Sequence, residues 1–212
     1  MKYIIMCGGD YRNFTQPKQL FKINGEPIVA RTIRLLRECG VKDIAISSNN
    51  PAFDNFGVPV LHHENQWTVY DYNNVVGTWC NGFYPTEEPV CYILGDVVFS
   101  KEAIETIVNT NTDDIEFFAS SPPFAKGYLK EWAEPFAFKV TNQKHFKESI
   151  EWLKLLESKG YFAREPLAWE LWKVIKGTPL NIINYKNYVT INDYSCDIDY
   201  EKEAELFNGI AD

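Results

Sequence analysis

The 212-residue chain has only three histidines and two methionines. Its five cysteines (Cys7, Cys39, Cys80, Cys91, Cys196) are odd in number and scattered, with no CxxC pair. That pattern argues against a disulfide framework or a structural zinc site and is expected of a reduced, cytoplasmic protein. His62 and His63 are adjacent, so on a strand they would point to opposite faces, and no histidine is assigned a ligating or catalytic role. No apolar run approaches the roughly 20 residues of a membrane helix, and no membrane partner is expected. The N-terminus runs at once into a strand, without a signal-peptide layout. Positive charge is in deficit, with 21 Lys and Arg against 29 Asp and Glu and a net charge of −8. No nucleic acid partner is therefore expected, because duplex affinity comes from many Lys/Arg–phosphate contacts. A local basic site for one nucleotide remains compatible with an acidic chain. Repeats, low-complexity tracts and linkers are also missing, which suits one domain over 1–212.

What is abundant is apolar and aromatic: 45% and 15% of the residues, with 6 Trp, 12 Tyr and 14 Phe. The first half alternates strand and helix signals. Strands are expected at 3–7, 43–47, 58–61, 90–94 and 115–119. Helices are expected over Ile28 to Cys39, over Tyr72 to Phe83, and over Lys101 to Asn109 with Ser100 as N-cap. Such alternation predicts an α/β fold with a mainly parallel sheet flanked by helices. The second half reads as a smaller mixed α+β region. It has strand-like pieces within 122–141, helices over 143–158 and about 165–176, a short strand near 180–185 and an acidic helix from about 200. A nucleotide-binding half is thus expected over about 1–120, an acceptor-side subregion over about 121–190 and a closing segment over 191–212.

Tyr3-Ile4-Ile5-Met6-Cys7 runs straight into Gly8-Gly9, and Arg12 and Pro17-Lys18 follow. Glycines let backbone approach a ligand closely, and successive free N–H groups form a cradle for anions. The loop is neither a Walker A sequence nor GxGxxG. Two glycines alone fit a tight strand-to-helix turn equally well. Asp96 ends the apolar strand in Leu94-Gly95-Asp96, where a carboxylate can hold Mg²⁺ against phosphate oxygens, or simply cap a turn. A third cluster is Asp193, Asp197 and Asp199. Its plain reading is a solvated helix N-terminus, and Asp197 and Glu201 fit that reading.

The spacing Gly-Gly-x-x-Arg-x-x-x-x-Pro-Lys, followed by Gly25-Glu26-Pro27-Ile28, resembles the N-terminal signature of GT-A-like nucleotidyltransferases, and residues 3–48 follow it. One departure is Tyr11 where a glycine is usual, with Asp10 before it, which makes the loop bulkier and adds a negative charge. Tyr70 to Trp79 resembles the Tyr-Asn-Asn segment of bacterial choline-phosphate cytidylyltransferases, the nearest branch, and Cys196-Asp197-Ile198-Asp199 looks like the superfamily's closing element. The resemblance implies a single-domain, Rossmann-like (GT-A-like) fold. It also implies an Mg²⁺-dependent transfer of a nucleotidyl group, with CTP as the favoured donor, to a small phosphorylated acceptor such as phosphocholine. Lys18 and Arg12 would be catalytic. Cys7, Gly8, Gly9, Asn73, Asn74, Thr78 and Gly95 would contact nucleotide, and Asp96 and Asp199 would hold the metal. Lys130 or Lys139 would meet the phosphate of the acceptor; from the residues themselves, Trp132 could contact the acceptor and Glu131, Glu134 or Glu165 could complement a cation on it. Trp132, Phe136, Trp152, Trp169 and Trp172 are otherwise read as core, with an aromatic cage for a quaternary ammonium group as the alternative. A homodimer is a further expectation. A glycosyltransferase of the same fold, a sugar-1-phosphate nucleotidyltransferase, a molybdenum-cofactor guanylyltransferase and a non-catalytic nucleotide-binding module stay open beside this reading.

Overall fold

In the computed structural model, residues 1–8, 14–63, 65, 79–121, 133–181 and 187–211 are described in full, and 68–71 and 74–76 through their backbone. In chain order the elements are β1 (Lys2–Met6), β2 (Lys22–Ile23), β3 (Glu26–Pro27), α1 (Ile28–Glu38), β4 (Ile44–Ser47) and β5 (Val60–Leu61). Then come β6 (Thr68–Asp71), β7 (Asn74–Val76), β8 (Val90–Leu94), β9 (Val97–Val98), α2 (Lys101–Asn109) and β10 (Ile115–Ala119). The chain continues through β11 (Pro135–Val140), α3 (Gln143–Ser158), α4 (Ala168–Ile175), β12 (Val189–Thr190), β13 (Cys196–Asp197) and α5 (Glu201–Leu206).

One seven-stranded sheet, ordered β12-β10-β11-β8-β1-β4-β5, carries the fold. Within it β11 runs against its neighbours, pairing antiparallel with both β8 and β10. The inner strands are covered on both faces, so β1, β4 and β8 read largely as apolar runs. Alternation then sorts the side chains. Tyr3 and Ile5 of the first strand, with Cys7 just past it, face α1 and α2, through Val29, Ile33 and Ile104 among others. Ile4 faces the other way, into a cluster with Phe146 and Leu153 of α3 and Leu171 and Trp172 of α4. Within that second layer Phe83 meets Tyr92, Phe138 and Phe146 edge-on at centroid distances of 5.0, 5.8 and 5.0 Å.

Local signals explain the well-read elements. Ser100 Oγ accepts from Ala103 N at 2.9 Å and starts α2. Gly40, at φ +82°, ends α1. Asn24 and Gly25, at φ +50° and +84°, make the two-residue connection of the β2–β3 hairpin. Asn24 also clamps the end of the chain, donating to Ala211 O at 2.6 Å and accepting from Gly209 N at 3.0 Å.

Among the described residues, the helix expected over Tyr72 to Phe83 is not formed. Thr68–Asp71 and Asn74–Val76 pair antiparallel instead, and a single 3₁₀ turn follows at Trp79–Asn81. Thr68, Val69, Val75 and Val76 are β-branched, a residue type whose stiffness favours a pleated ladder over a helix. Residues 122–132 and 182–186 lie outside the described residues, so the strand pieces expected there stand on sequence alone; β12 lies just beyond the second of them. Phe136 and Trp172 are buried and Trp169 is half-buried, whereas Trp152 stands out in solvent.

The sheet also carries a pH-sensitive group. Burial pushes the Glu116 carboxyl above the ordinary carboxylate range, against the opposing pull of the Phe117 N–H and Lys176. The folded chain therefore binds that proton more tightly than the unfolded chain. Its contribution to stability is complete below the unfolded value and is lost as pH rises through the folded one. Glu116→Gln is expected to melt higher than the parent at neutral pH. The gain should vanish below about pH 4, where both forms are neutral in the folded and unfolded states. Melting curves at several pH values check this, and a pH-independent difference contradicts it.

Candidate functional site

The site forms where the C-terminal ends of β1 and β8 lie side by side. The chain leaves the first strand toward α1 and β4, on the side away from β8, so the two ends flank a topological switch point, where open α/β sheets take ligands. Cys7 is pinned from two directions: its N–H donates to Ser47 O at 2.9 Å and its carbonyl accepts from Ser48 Oγ at 3.0 Å. Gly95 N donates to Met6 O at 3.1 Å. A Cβ at Gly95 would lie 2.4 Å from Met6 O and 3.0 Å from Cys7 Sγ. The glycine therefore lets the two strand ends close together, which sets where Asp96 begins. Burial first, and then the Asp96 charge, push the Cys7 thiol up, so it stays protonated and is no nucleophile.

Three distant segments meet beside this junction. Lys18 opens a 3₁₀ turn (Lys18–Leu20) after Pro17. Its Nζ lies 3.4 Å from Asp96 Oδ2, 3.8 Å from Asp199 Oδ1, and 5.3 Å from the centre of the Phe14 ring. Asp199 arrives because β13 pairs antiparallel with β9, Asp197 opposite Val97, and Ile198 N donates to Asp96 O at 3.2 Å. Glu203 Oε2 then accepts from Asp199 N at 2.6 Å and from Tyr200 N at 3.1 Å, holding the turn into α5. The Thr15 N–H donates to Glu201 Oε1, tying the loop before Lys18 to the same helix. Beneath, Ile23, Ile28, Val98, Cys196, Ile198 and Phe207 form a separate apolar cluster that docks the closing segment.

A second group of carboxylates adjoins the first. One oxygen each from Glu134, Asp197 and Asp199 lie within 4.8 Å of one another. Glu134 is positioned by the end of β10, since its N–H donates to Ser120 Oγ at 2.9 Å and its carbonyl accepts from Ser120 N at 2.9 Å. The sequence places Asp197 at a solvated helix N-terminus. In the structure it sits instead in β13, four residues before α5, because the segment extends to pair with β9. Lys18 meets two carboxylates of a wall that holds four, and the surplus of hard oxygen donors suits a divalent cation. Asp193 serves elsewhere. It accepts from Ser100 Oγ at 2.5 Å and from Ser195 N at 2.7 Å, bracing the start of α2.

Lys139 is not at this site. It lies opposite Cys91, toward the other end of the sheet, and its Nζ donates to Val108 O at 3.0 Å and Thr110 O at 2.7 Å. It caps the C-terminal carbonyls of α2 from a buried position, where desolvation holds its ammonium below the ordinary lysine range. Glu165 accepts from Trp79 N at 2.7 Å. Trp169 donates to Ala133 O at 2.9 Å and packs edge-on to Phe117, which accounts for it as structural. Gly9, Asp10, Tyr11, Arg12, Asn73, Thr78, Lys126, Lys130, Glu131 and Trp132 lie outside the described residues. Asn74 falls in β7.

Two asparagines not singled out in the sequence adjoin the glycine loop. Asn49 Nδ2 donates to Asn65 Oδ1 at 3.2 Å and to His63 O at 2.9 Å. Asn65 Nδ2 lies 3.3 Å from where a Gly8 Cβ would stand. Their position just past β4 and β5, beside the end of β1, is the signal that could have found them. His63 is used locally, its Nε2–H donating to Asn81 O at 2.9 Å.

Residues 3–145 match the MobA-like NTP transferase domain family. A curated relative, a "Probable molybdenum cofactor guanylyltransferase" of Pyrococcus horikoshii (strain ATCC 700860 / DSM 12428 / JCM 9974 / NBRC 100139 / OT-3), is 36% identical over 64 residues. That alignment covers 28% of this chain and 33% of the relative, so the match spans about a third of the relative's length. Among solved structures, the 4-diphosphocytidyl-2C-methyl-D-erythritol synthase of Anaerococcus prevotii DSM 20548 superposes with a TM-score of 0.59 at 12% identity, covering 99% of this chain and 94% of that one. The inositol-1-phosphate CTP transferase of T. maritima gives 0.57 at 14% identity, covering 97% and 94%. These two likenesses establish the shared fold.

Proposed function

The chain belongs to the MobA-like NTP transferase domain family, and from that premise we propose that it transfers a nucleotidyl group from an NTP to a small phosphomonoester, releasing pyrophosphate. The observation that carries this reading is the meeting of Lys18 with Asp96 and Asp199, 3.4 and 3.8 Å from its ammonium, beside the junction of Gly95 with Met6 and Cys7. The acceptor's phosphate oxygen forms the new bond to the α-phosphorus. The bond from that phosphorus to the β-phosphate bridging oxygen breaks, and pyrophosphate carries away the electron pair. No side chain has to remove a proton, because a phosphomonoester is already ionised at neutral pH. Catalysis then rests on positioning and charge neutralisation.

In this reading the backbone at Gly8, with Gly9 and Arg12, holds the β- and γ-phosphates. Lys18 neutralises charge gathering on the α-phosphate and the leaving pyrophosphate. Asp96 and Asp199 hold Mg²⁺, which supplies Lewis-acid polarisation and orientation of the phosphates when bound. Glu134 and Asp197, adjoining Asp199, extend that oxygen-rich wall. Asn73, Asn74 and Thr78 contact the base or ribose, and Lys130 and Trp132 belong to the acceptor side.

CTP with phosphocholine or a related phosphate or phosphonate is the substrate pair favoured by the Tyr70–Trp79 segment. A second reading, guanylyl transfer, is favoured by the name of the P. horikoshii relative. A pyrophosphate-release screen crossing four NTPs with a panel of phosphomonoesters, with and without Mg²⁺, separates them. Turnover with CTP that is lost on chelation is the expected result. Turnover with GTP alone selects the second reading, and no release from any pair overturns both.

A further inference from the structure

We infer that the solvent face of α3 is a self-association surface that pairs with α3 of a second copy about a two-fold axis. The helix buries Phe146, Ile150 and Leu153 against the sheet. On its opposite side stand Trp152, 54% exposed, and Leu155, 37% exposed. These are large apolar groups one helical turn apart on one face, and among the described residues they belong to none of the buried apolar clusters. Tryptophan is enriched among the residues that dominate interfaces, and a solvent-facing Trp–Leu pair has little to stabilise it in a monomer.

The charges around this pair identify the partner. Glu148, Trp152 and Leu155 are spaced by four and three residues and fall within about 60° of one another around the helix, and Lys159, the C-cap residue just past its end, continues the spacing by four. The order along the stripe is acid, apolar, apolar, base. Turning a second copy end for end about a point between Trp152 and Leu155 sets Trp152 on the partner's Leu155. The same operation sets Glu148 on the partner's Lys159, at both ends of the contact. The stripe is thus complementary to itself only in the antiparallel sense, which is the geometry of an isologous two-fold interface. Glu148 can serve there because its pairing within the helix is weak. Lys144 Nζ lies 3.9 Å away, with the two side chains 85% and 66% exposed. One helix face buries less than the roughly 800 Å² per partner of a standard interface, so the dimer is weak and concentration-dependent.

Sedimentation equilibrium over a concentration series tests this on the full chain. The parent is expected to pass from monomer to dimer, less readily at high salt, and Trp152→Ser to remain monomeric with an unchanged melting curve. Glu148→Lys and Lys159→Glu should each weaken association roughly tenfold, and the double variant should recover most of that loss. A parent that stays monomeric at hundreds of micromolar overturns the inference, as does Trp152→Ser dimerising like the parent. A double variant no better than its singles overturns the antiparallel register. Pyrophosphate release plays no part in these readouts, so the result stands apart from the proposed reaction.

Discussion

Lys18→Ala is expected to lower turnover by roughly a hundred- to a thousand-fold, the usual loss when one preorganised donor to developing charge is removed. The expectation starts from how the position of Lys18 is determined. Pro17 precedes the 3₁₀ turn in an extended conformation, and the Thr15 N–H is held by Glu201 of α5, so the approach to Lys18 is held on both sides. Its ammonium then faces two carboxylates brought from the end of β8 and from the closing segment. Removing it leaves Asp96 and Asp199 facing each other and takes one positive side chain from an incoming triphosphate. Stability should change little, since the side chain is 19% exposed and its two ion pairs are longer than a good hydrogen bond. Lys18→Arg should recover only part of the rate, because a planar guanidinium does not reproduce a compact ammonium. The measurement is pyrophosphate release under single-turnover conditions, beside a thermal melt. Near-parental turnover in Lys18→Ala with an intact melt would remove Lys18 from the chemistry.

Gly95→Ala is expected to damage the protein severely for the addition of a single methyl. Its Cβ would sit 2.4 Å from the Met6 carbonyl oxygen, 3.0 Å from Cys7 Sγ and 3.1 Å from Gln19 Cγ. The nearest of these is backbone in the central strand, where β1 is hydrogen-bonded on both sides and cannot give way. The two strand ends must therefore separate and the Gly95 N–H to Met6 O bond stretch. Overpacking of this kind costs about 3 kcal/mol at the upper end of its usual range, which for a chain of this size corresponds to a fall in Tm of about 6–12 °C. Activity should fall further than stability, because Asp96 is the next residue and moves with the backbone. By contrast, Gly8→Ala would bring its Cβ only to 3.3 Å from the Asn65 amide, a side chain able to shift, and should be far milder. If both glycine variants melt alike, the close approach at Gly95 is not what holds the junction.

Much of the sheet is legible in the sequence because its inner strands are buried on both faces and so read largely as apolar runs. Val90–Leu94 is such a run, and Ile115–Ala119 is one broken only by Glu116. The start of α2 is marked by Ser100, whereas the cap of α3 came from the structure, where the Asn142 side chain accepts from His145 N at 3.1 Å. The segment from 68 to 83 misleads because short apolar stretches carry similar patterns whether they form a helix or a hairpin. Only the pairing of Val69 with Val75 decides. At the site, the glycine–lysine spacing and the two aspartates are legible as residue types at recognisable offsets. Their company is not. Asp197 reads as a solvated helix start, and Lys139 reads as an acceptor contact, because nothing local states which end of a strand a side chain serves.

The sequence by itself determined the α/β class, the helix over Ile28 to Cys39, and the candidacy of Lys18, Asp96 and Asp199. The class and the helix follow from periodicity and turn chemistry, which act over a few tens of residues; the three side chains follow from the resemblance of their short motifs to a known family. Only the tertiary structure decided that residues 18, 96 and 199 converge, that Lys139 is spent on the carbonyls ending α2, and that Trp152 is left in water. The reason is physical. Convergence depends on strand order and on the β9–β13 pairing, which join segments about a hundred residues apart. Interactions between such segments are not written in the local sequence of either.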